Sequence, residues 1–189
     1  LFGFGNILLP FWLSCLFTVF AVVGVTNAIN MIDGLDGLAG GVSVIALLAF
    51  VILFFSAGNY QWMAIAIVLG GSLFGFLKHN SYPANIFMGD AGSLTLGFLL
   101  AFLAIAMTQD VTSTISPSVP VLILGLPIID TLKVMIRRKM KGKSPFDPDM
   151  THVHHSFLGL GLDHRYTVLL IYSFTFFWSI FAIYFQEGP

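Results

Sequence analysis

The chain contains 189 residues, of which 57% are hydrophobic and 9% are charged, and its formal net charge is −1. Soluble domains carry about 25% charged residues, so this composition excludes a soluble globular protein and indicates an integral membrane protein. We expect the protein to interact with the lipid bilayer and not with nucleic acid.

The hydropathy pattern predicts a chain of membrane-spanning helices. An apolar run of about 20 residues can cross the hydrocarbon core as a helix, and backbone in lipid must satisfy its own hydrogen bonds. We therefore predict an all-α, polytopic membrane protein that forms a single membrane domain over residues 1–189. About six transmembrane helices are predicted, at residues 8–27, 38–57, 61–78, 93–109, 119–138 and 166–186.

The basic residues lie on one side of this predicted topology. If the first span runs from outside to inside, the inner connections are about residues 27–37, 78–92 and 137–165. The positive-inside rule then identifies that side as cytoplasmic. All eight basic residues fall at or near it: Lys78, Lys133, Arg137, Arg138, Lys139, Lys141, Lys143 and Arg165.

The first polar cluster follows the first span, in the sequence "GVTNAINMIDGLDGLAGG" from Gly24 to Gly41. Asn27, Asn30, Asp33 and Asp36 recur every three residues, a spacing that places the first three along one side of a helix. Such residues commonly cap helices and form turns, so a plain capping loop is the alternative to a binding site. Four of them within ten residues beside a membrane favour the binding site.

The second cluster is "NIFMGDAGSLTLG", from Asn85 to Gly97, which places Asp90 between glycines at the start of the fourth span. Asp90 or Ser93 alone is typical of a helix N-cap. However, Asp33, Asp36 and Asp90 are predicted on one face, and clustered carboxylates repel unless a cation or proton intervenes. Because hard oxygen ligands suit Mg²⁺ or Mn²⁺ better than Zn²⁺, the pattern favours Mg²⁺, with Mn²⁺ as the alternative.

The third cluster, "RRKMKGKSPFDPDMTHVHH", begins at Arg137 and ends with His152, His154 and His155. Basic residues after a span are ordinary positive-inside signals, and a solvated polar loop is the plain alternative for the histidines. An HxHH string is also compatible with Zn²⁺. The basic surroundings favour anions instead, because imidazoles beside Arg and Lys can hold a phosphate.

Asp130 and Lys133 lie three residues apart inside the fifth predicted span, in "LPIIDTLKVMIRR". Charged groups are costly within a bilayer. We expect these two side chains either to neutralise each other along one side of the helix or to face a substrate.

The three clusters together indicate phosphoryl transfer on the cytoplasmic face. They combine acids able to hold Mg²⁺ with cations able to hold phosphates, and positioning and charge neutralisation supply most of the catalysis in that reaction. The sequence contains neither a Walker A string nor the protein-kinase motifs, which argues against ordinary nucleotide hydrolysis.

The three motifs "NAINMIDGLDGLAGG", "FMGDAGSLTLG" and "SPFDPDMTHVHH" resemble, in order and spacing, the signatures of the polyprenyl-phosphate N-acetylhexosamine-1-phosphate transferases. The resemblance covers nearly the whole chain from about Val25. The HxHH loop followed by "LGLDHRYTV" is most similar to the bacterial branch that transfers GlcNAc 1-phosphate to undecaprenyl phosphate. The phospho-MurNAc-pentapeptide branch, with a differently framed histidine string, is the second choice.

The resemblance implies that a polyprenyl phosphate attacks a UDP-sugar and releases UMP, which starts a lipid-linked glycan at the bacterial cytoplasmic (inner) membrane. It implies Mg²⁺ ligands at Asn30 and Asp90. It implies catalytic roles for Asp33, Asp36, Asp90, His152, His154 and His155. It implies contacts with the nucleotide-sugar for Asn27, Asn30, Asp36, Phe87, Arg137 and Arg138. Within these sets, Asp36 is the candidate for the uracil and Phe87 for stacking on its ring.

One departure from the family concerns the paired aspartates of an earlier cytoplasmic loop, since the sequence contains no Asp-Asp pair. We therefore expect this chain to be the C-terminal part of a longer protein and to be inactive alone. Robust transfer by the isolated 189 residues would overturn that expectation. The sequence is also compatible with a homodimer of the protein.

Two readings from other functional classes remain at this point. A membrane transporter would use Asp130 and Lys133 as an intramembrane ion site, but the polar groups gather at one surface rather than at mid-span. The other alternative is a catalytically inactive relative that serves as an assembly partner. The absence of an aspartate pair from the sequence favours this alternative.

Overall fold

The computed structural model describes residues 10–109, 115–142, 144 and 152–187. In these ranges the chain forms helices and connections only, and no strand is seen. The helices are α1 (Phe11–Ile32), α2 (Leu38–Ser56), α3 (Tyr60–Asn80), α4 (Gly89–Gln109), α5 (Ser118–Ile123), α6 (Gly125–Met140), α7 (Val153–Gly159) and α8 (His164–Glu187).

Helix α2 is the centre of the bundle. It packs against α3, α8 and α4, and 72% of its span is buried, against 17% for α1 and for α3. The outer helices instead expose large apolar side chains such as Phe17, Phe20 and Phe177, as expected of surfaces that face lipid. The predicted all-α membrane architecture is therefore confirmed.

Five helices in the described part of the chain, α1, α2, α3, α4 and α8, are long and apolar enough to cross a membrane. The fifth predicted span, residues 119–138, is instead two shorter helices that meet at Leu124. Pro127 explains the break, because it has no N–H to donate to the carbonyl of Ile123, four residues earlier. The fifth predicted span is therefore discontinuous, and the other five predicted spans each form a single helix long enough to cross a membrane.

The break sends the two halves to different neighbours. Helix α5 packs against α8, where the N–H of Ser116 donates to Oε1 of Gln186 (2.9 Å), whereas α6 packs against α1. The charged C-terminal end of α6 is thereby carried to the same end of the bundle as the C-terminus of α1.

Helix α1 runs five residues beyond its predicted end. Residues 27–32, which the sequence placed in a connection, are helical, and they include Ala28, Ile29 and Ile32, the buried residues of α1. Near this end α1 touches α4 closely, since a β-carbon at Gly97 would lie 2.8 Å from the α-carbon of Thr26. This close approach brings Asn30 beside the first turn of α4.

Candidate active site

Three separate segments meet at one end of the helix bundle. They are the α1–α2 connection (33–37), the α3–α4 connection (81–88), and α7 with the start of α8. The side chain of Asp36 accepts a hydrogen bond from the N–H of Ala84 (3.0 Å), and its backbone carbonyl accepts one from Nε2 of His164 (3.4 Å). The first cluster is thus bonded to the segments that adjoin the second and third clusters in sequence.

Asn80, the buried last residue of α3, ties two of these segments. Its Oδ1 accepts a hydrogen bond from the N–H of Gly37 (3.1 Å), and its Nδ2 donates to the carbonyl of Ile86 (2.8 Å). Because each side of the amide bonds a different connection, Asn80 holds the two at a fixed separation.

Two of the predicted carboxylates lie close enough to influence each other. Burial raises the pKa of Asp33 above its ordinary value, and the negative charge of Asp90 raises it further. A pair of carboxylates in this state is a place where a cation would be stabilised.

Asn30 joins this pair through Ser93. Its Oδ1 accepts a short hydrogen bond from the hydroxyl of Ser93, which also donates to the carbonyl of Gly89 (3.0 Å) at the start of α4. The amide oxygen of Asn30 therefore lies at the helical turn that carries Asp90. The described residues contain no group of three His, Cys, Asp or Glu side chains suited to a metal. Two carboxylates and an amide oxygen nevertheless form a hard donor set that fits Mg²⁺, which takes few protein ligands.

The histidines form a stacked group around α7. The rings of His152 and His154 are nearly parallel, with centroids 5.7 Å apart, and His155 lies 4.3 Å from His154. The group is attached to α6, since Nδ1 of His152 lies 2.9 Å from Oδ2 of Asp130. The predicted pairing of Asp130 with Lys133 is wrong, because the carboxylate turns inward to His152 whereas the side chain of Lys133 is exposed.

His154 is buried, with 2% of its surface exposed, and its imidazole lies directly against Gly34. Burial, followed by the neighbouring His155 and His152, lowers its pKa to about 4, although Asp130 acts in the opposite direction. His154 is therefore neutral at physiological pH. It joins the histidine cluster directly to the connection that carries Asp33.

Of the four remaining predicted residues, three are exposed and one is buried. Asn27 is exposed, and its amide donates back to the carbonyl of Val23 on its own helix (2.8 Å). Phe87 is 76% exposed on the α3–α4 connection. Arg137 is exposed and Arg138 is buried in the last turn of α6. Residues 143 and 145–151 of the predicted third loop lie outside the described residues.

Asn80, and the contact of Asp130 with His152, were not anticipated from the sequence. Tyr172 is another such residue: its hydroxyl donates to the carbonyl of Gly37 (2.6 Å) and occupies the space that a β-carbon of Gly41 would need. Gly37 itself has a φ of +78°, a conformation that favours glycine. The only available signal was the presence of polar residues near the ends of apolar runs, which does not identify their partners.

The family model described as glycosyl transferase family 4 matches residues 1–108, more than half of the chain. The matched part includes the first two polar clusters.

Several curated relatives are similar over shorter or longer parts of the chain. A probable undecaprenyl-phosphate N-acetylglucosaminyl 1-phosphate transferase of Bacillus subtilis (strain 168) is 43% identical over 141 residues, which cover 75% of this chain and 39% of the relative. A decaprenyl-phosphate N-acetylglucosaminephosphotransferase of Mycobacterium leprae (strain TN) is 40% identical over 124 residues, covering 60% and 31%. An undecaprenyl-phosphate alpha-N-acetylglucosaminyl 1-phosphate transferase of Pasteurella multocida (strain Pm70) is 42% identical over 87 residues, covering 46% and 24%. The chain thus spans about two fifths or less of the length of these relatives.

Proposed function

This chain belongs to glycosyl transferase family 4, and from that premise we propose that it carries most of the catalytic site of a sugar-1-phosphate transferase. The enzyme transfers GlcNAc 1-phosphate from UDP-GlcNAc to undecaprenyl phosphate and releases UMP. The observation that carries the proposal is the meeting of the Asp33–Asp90 carboxylate pair with the histidine cluster at one end of the bundle. The names of the relatives support the choice of substrates.

The reaction exchanges one phosphorus–oxygen bond for another. A phosphate oxygen of undecaprenyl phosphate attacks the β-phosphorus of UDP-GlcNAc and forms the new pyrophosphate bond. The bond from that phosphorus to the bridging oxygen breaks, and UMP leaves with the bridging oxygen. A site at the end of a membrane bundle suits this pair of substrates, because one is anchored in lipid and the other is dissolved in the cytosol. We therefore place the site on the cytoplasmic face of the bacterial inner membrane.

Asn30 and Asp90 would hold the metal ion, with Asp33 beside them. Mg²⁺, when bound, neutralises charge on the transferring diphosphate. Burial raises the pKa of Asp33 and the charge of Asp90 raises it further, so a cation held there would relieve the repulsion between the two carboxylates. The hydroxyl of Ser93 fixes the orientation of the Asn30 amide.

The donor nucleotide would lie over the α3–α4 connection. Asp36 shapes that connection through the N–H of Ala84, and the exposed ring of Phe87 is free to stack on uracil. His152, His154 and His155, with Arg137 or Arg138, would face the sugar and the phosphates. Pairing with a second copy of the chain stays a prediction.

UMP release from membranes that carry the full-length protein tests the proposal. The membranes receive Mg²⁺, undecaprenyl phosphate and one donor at a time: UDP-GlcNAc, UDP-GalNAc or UDP-MurNAc-pentapeptide. Asp90→Asn is the inactive comparison. Asp163→Asn, a change at an exposed carboxylate before α8, is the matched control, which should keep full turnover.

Release from UDP-GlcNAc that is lost in Asp90→Asn and kept in Asp163→Asn is the expected result. Release from the muramyl donor would move the protein to the peptidoglycan branch of the family. No release from any donor would refute the proposed activity.

A further inference from the structure

Asp130 is a buried carboxylate in α6, with 2% of its surface exposed, and it is held on both oxygens. Oδ2 lies 2.9 Å from Nδ1 of His152, and Oδ1 accepts the backbone N–H of Val153 (2.9 Å). These two groups are the N-cap and the first residue of α7. Asp130 therefore fixes both the start of that helix and the ring of its first histidine.

The contact decides which nitrogen of His152 is available. An ionised carboxylate can only accept hydrogen bonds, so Nδ1 of His152 carries the proton that it shares with Asp130. Nε2 points in a different direction and remains for another partner. In the neutral ring Nε2 offers a lone pair, and in the charged ring it offers an N–H.

The arrangement continues from His152 toward the carboxylate pair. His152 stacks on His154, and His154 lies against Gly34, which is next in sequence to Asp33. Contacts thus connect Asp130 in α6 to the connection after α1.

We propose that Asp130 is a positioning residue of the phosphoryl-transfer site, which orients His152 so that its Nε2 is presented to the diphosphate of the donor. This inference rests on the proposed function. Asp130 does not touch the reacting atoms itself, and it acts through the ring of His152. A carboxylate at this depth is costly, whereas a cap for the short helix α7 alone could be provided by an uncharged residue.

Two substitutions separate positioning from simple capping. Asp130→Asn keeps the shape, but while its oxygen accepts from Val153 its amide can only donate to Nδ1 of His152, which requires the opposite tautomer and puts the ring proton on Nε2. Val153→Pro removes the backbone donor and replaces one half-buried apolar side chain with another, and proline is tolerated at the first position of a helix. His152, with φ −60° and ψ 157°, already has the extended conformation that precedes proline. The Asp130–His152 contact should survive in that variant.

The experiment measures turnover of UDP-GlcNAc in membranes that carry the full-length protein, for Asp130→Asn, His152→Gln, the double variant and Val153→Pro. Lys133→Gln, an exposed change on the same helix, is the matched control. We expect Asp130→Asn to lose roughly 10- to 100-fold in turnover, as hydrogen-bond partners that orient a functional histidine typically do, and His152→Gln to lose at least as much. The turnover of the double variant should lie within about 2-fold of that of the less active single variant, because the two residues act as a unit. Val153→Pro and Lys133→Gln should stay close to the wild type.

Losses that multiply in the double variant, or full turnover in Asp130→Asn, would overturn the positioning role. If Asp130→Asn does not accumulate in membranes, Val153→Pro decides: turnover near the wild type supports the role, and a loss as large as that of His152→Gln overturns it. Wild-type membranes that release no UMP would instead refute the proposed function, so the two failures are distinguishable.

Discussion

The imidazole of His154 occupies the space that a β-carbon would need at Gly34, so a histidine of the third cluster and a glycine of the first are in direct contact. The two residues are 120 positions apart in sequence, and α1 and α7 meet the rest of the bundle through different neighbours. Their contact sets the position of the histidine cluster relative to the Asp33–Asp90 pair.

Gly34→Ala should therefore damage the site more than the fold. The added methyl group pushes His154 and its stacked neighbours away, and displacements of about 1 Å can cost on the order of 100-fold in rate. We expect a loss of turnover of roughly 10- to 100-fold, measured as UMP release. Gly24→Ala is the control, since nothing lies within 4 Å of a β-carbon there. Equal turnover in the two variants would contradict the contact.

His154 should make the stability of the fold depend on pH. Its pKa is lowered to about 4 from the ordinary 6.5, so the unfolded chain takes up the proton first. The stabilisation is complete above pH 6.5 and is lost as the pH falls toward 4, and the shift corresponds to roughly 3 kcal/mol. Thermal unfolding in detergent should show a flatter pH dependence in His154→Gln than in the wild type. Identical slopes would show that this histidine is not buried in its neutral form.

Divalent cation should stabilise the protein through the carboxylate pair. A ligand at 100 times its dissociation constant adds about 2.7 kcal/mol to the stability of the folded state, so Mg²⁺ should raise the unfolding midpoint of the wild type. Asp90→Asn should abolish that increase, and Asp163→Asn should keep it. An undiminished increase in Asp90→Asn would place the metal elsewhere.

Asn80→Ala should loosen the site by releasing both connections. The substitution leaves the N–H of Gly37 and the carbonyl of Ile86 without the Asn80 amide, and the buried N–H of Gly37, left unpaired, costs about 1–3 kcal/mol. Both the unfolding midpoint and the turnover of Asn80→Ala should be lower than those of the wild type. Ser72→Ala is the control on the same helix, because that exposed hydroxyl bonds only a carbonyl of its own helix, that of Leu69. An unfolding midpoint equal to that of Ser72→Ala would show that Asn80 does not stabilise the two connections.

Phe87→Leu should weaken binding of the donor without affecting the fold. Stacking of a base on an aromatic ring contributes about 1–3 kcal/mol, so the KM for UDP-GlcNAc should rise roughly 10-fold, with Phe87→Trp close to the wild type. Phe98→Leu changes an exposed ring in the middle of α4 and should leave the KM unchanged. An unchanged KM in Phe87→Leu would exclude Phe87 from the nucleotide site.

Much of the architecture was predictable because the bilayer restricts what an apolar chain can form. The spans of α2, α3, α4 and α8 were predicted to within four residues, and the resemblance read from three motifs is confirmed by the family match. The division at Leu124 was missed because hydropathy does not register the single N–H that Pro127 lacks. The true end of α1 was missed because the predicted span was ended at Asn27, where polar residues begin, although the apolar residues Ala28, Ile29 and Ile32 continue the helix.

The sequence by itself determined the membrane class, the family and the polar residues from which a site could be built. Those conclusions follow from local composition and from motif order, which do not depend on distant contacts. Only the tertiary structure decided which of these residues meet. The partner of Asp130 is His152, 22 residues away, rather than Lys133, three residues away. Helix α7 packs against α8 and begins beside Asp130, where His152 and the N–H of Val153 bond the carboxylate, whereas the side chain of Lys133 is exposed.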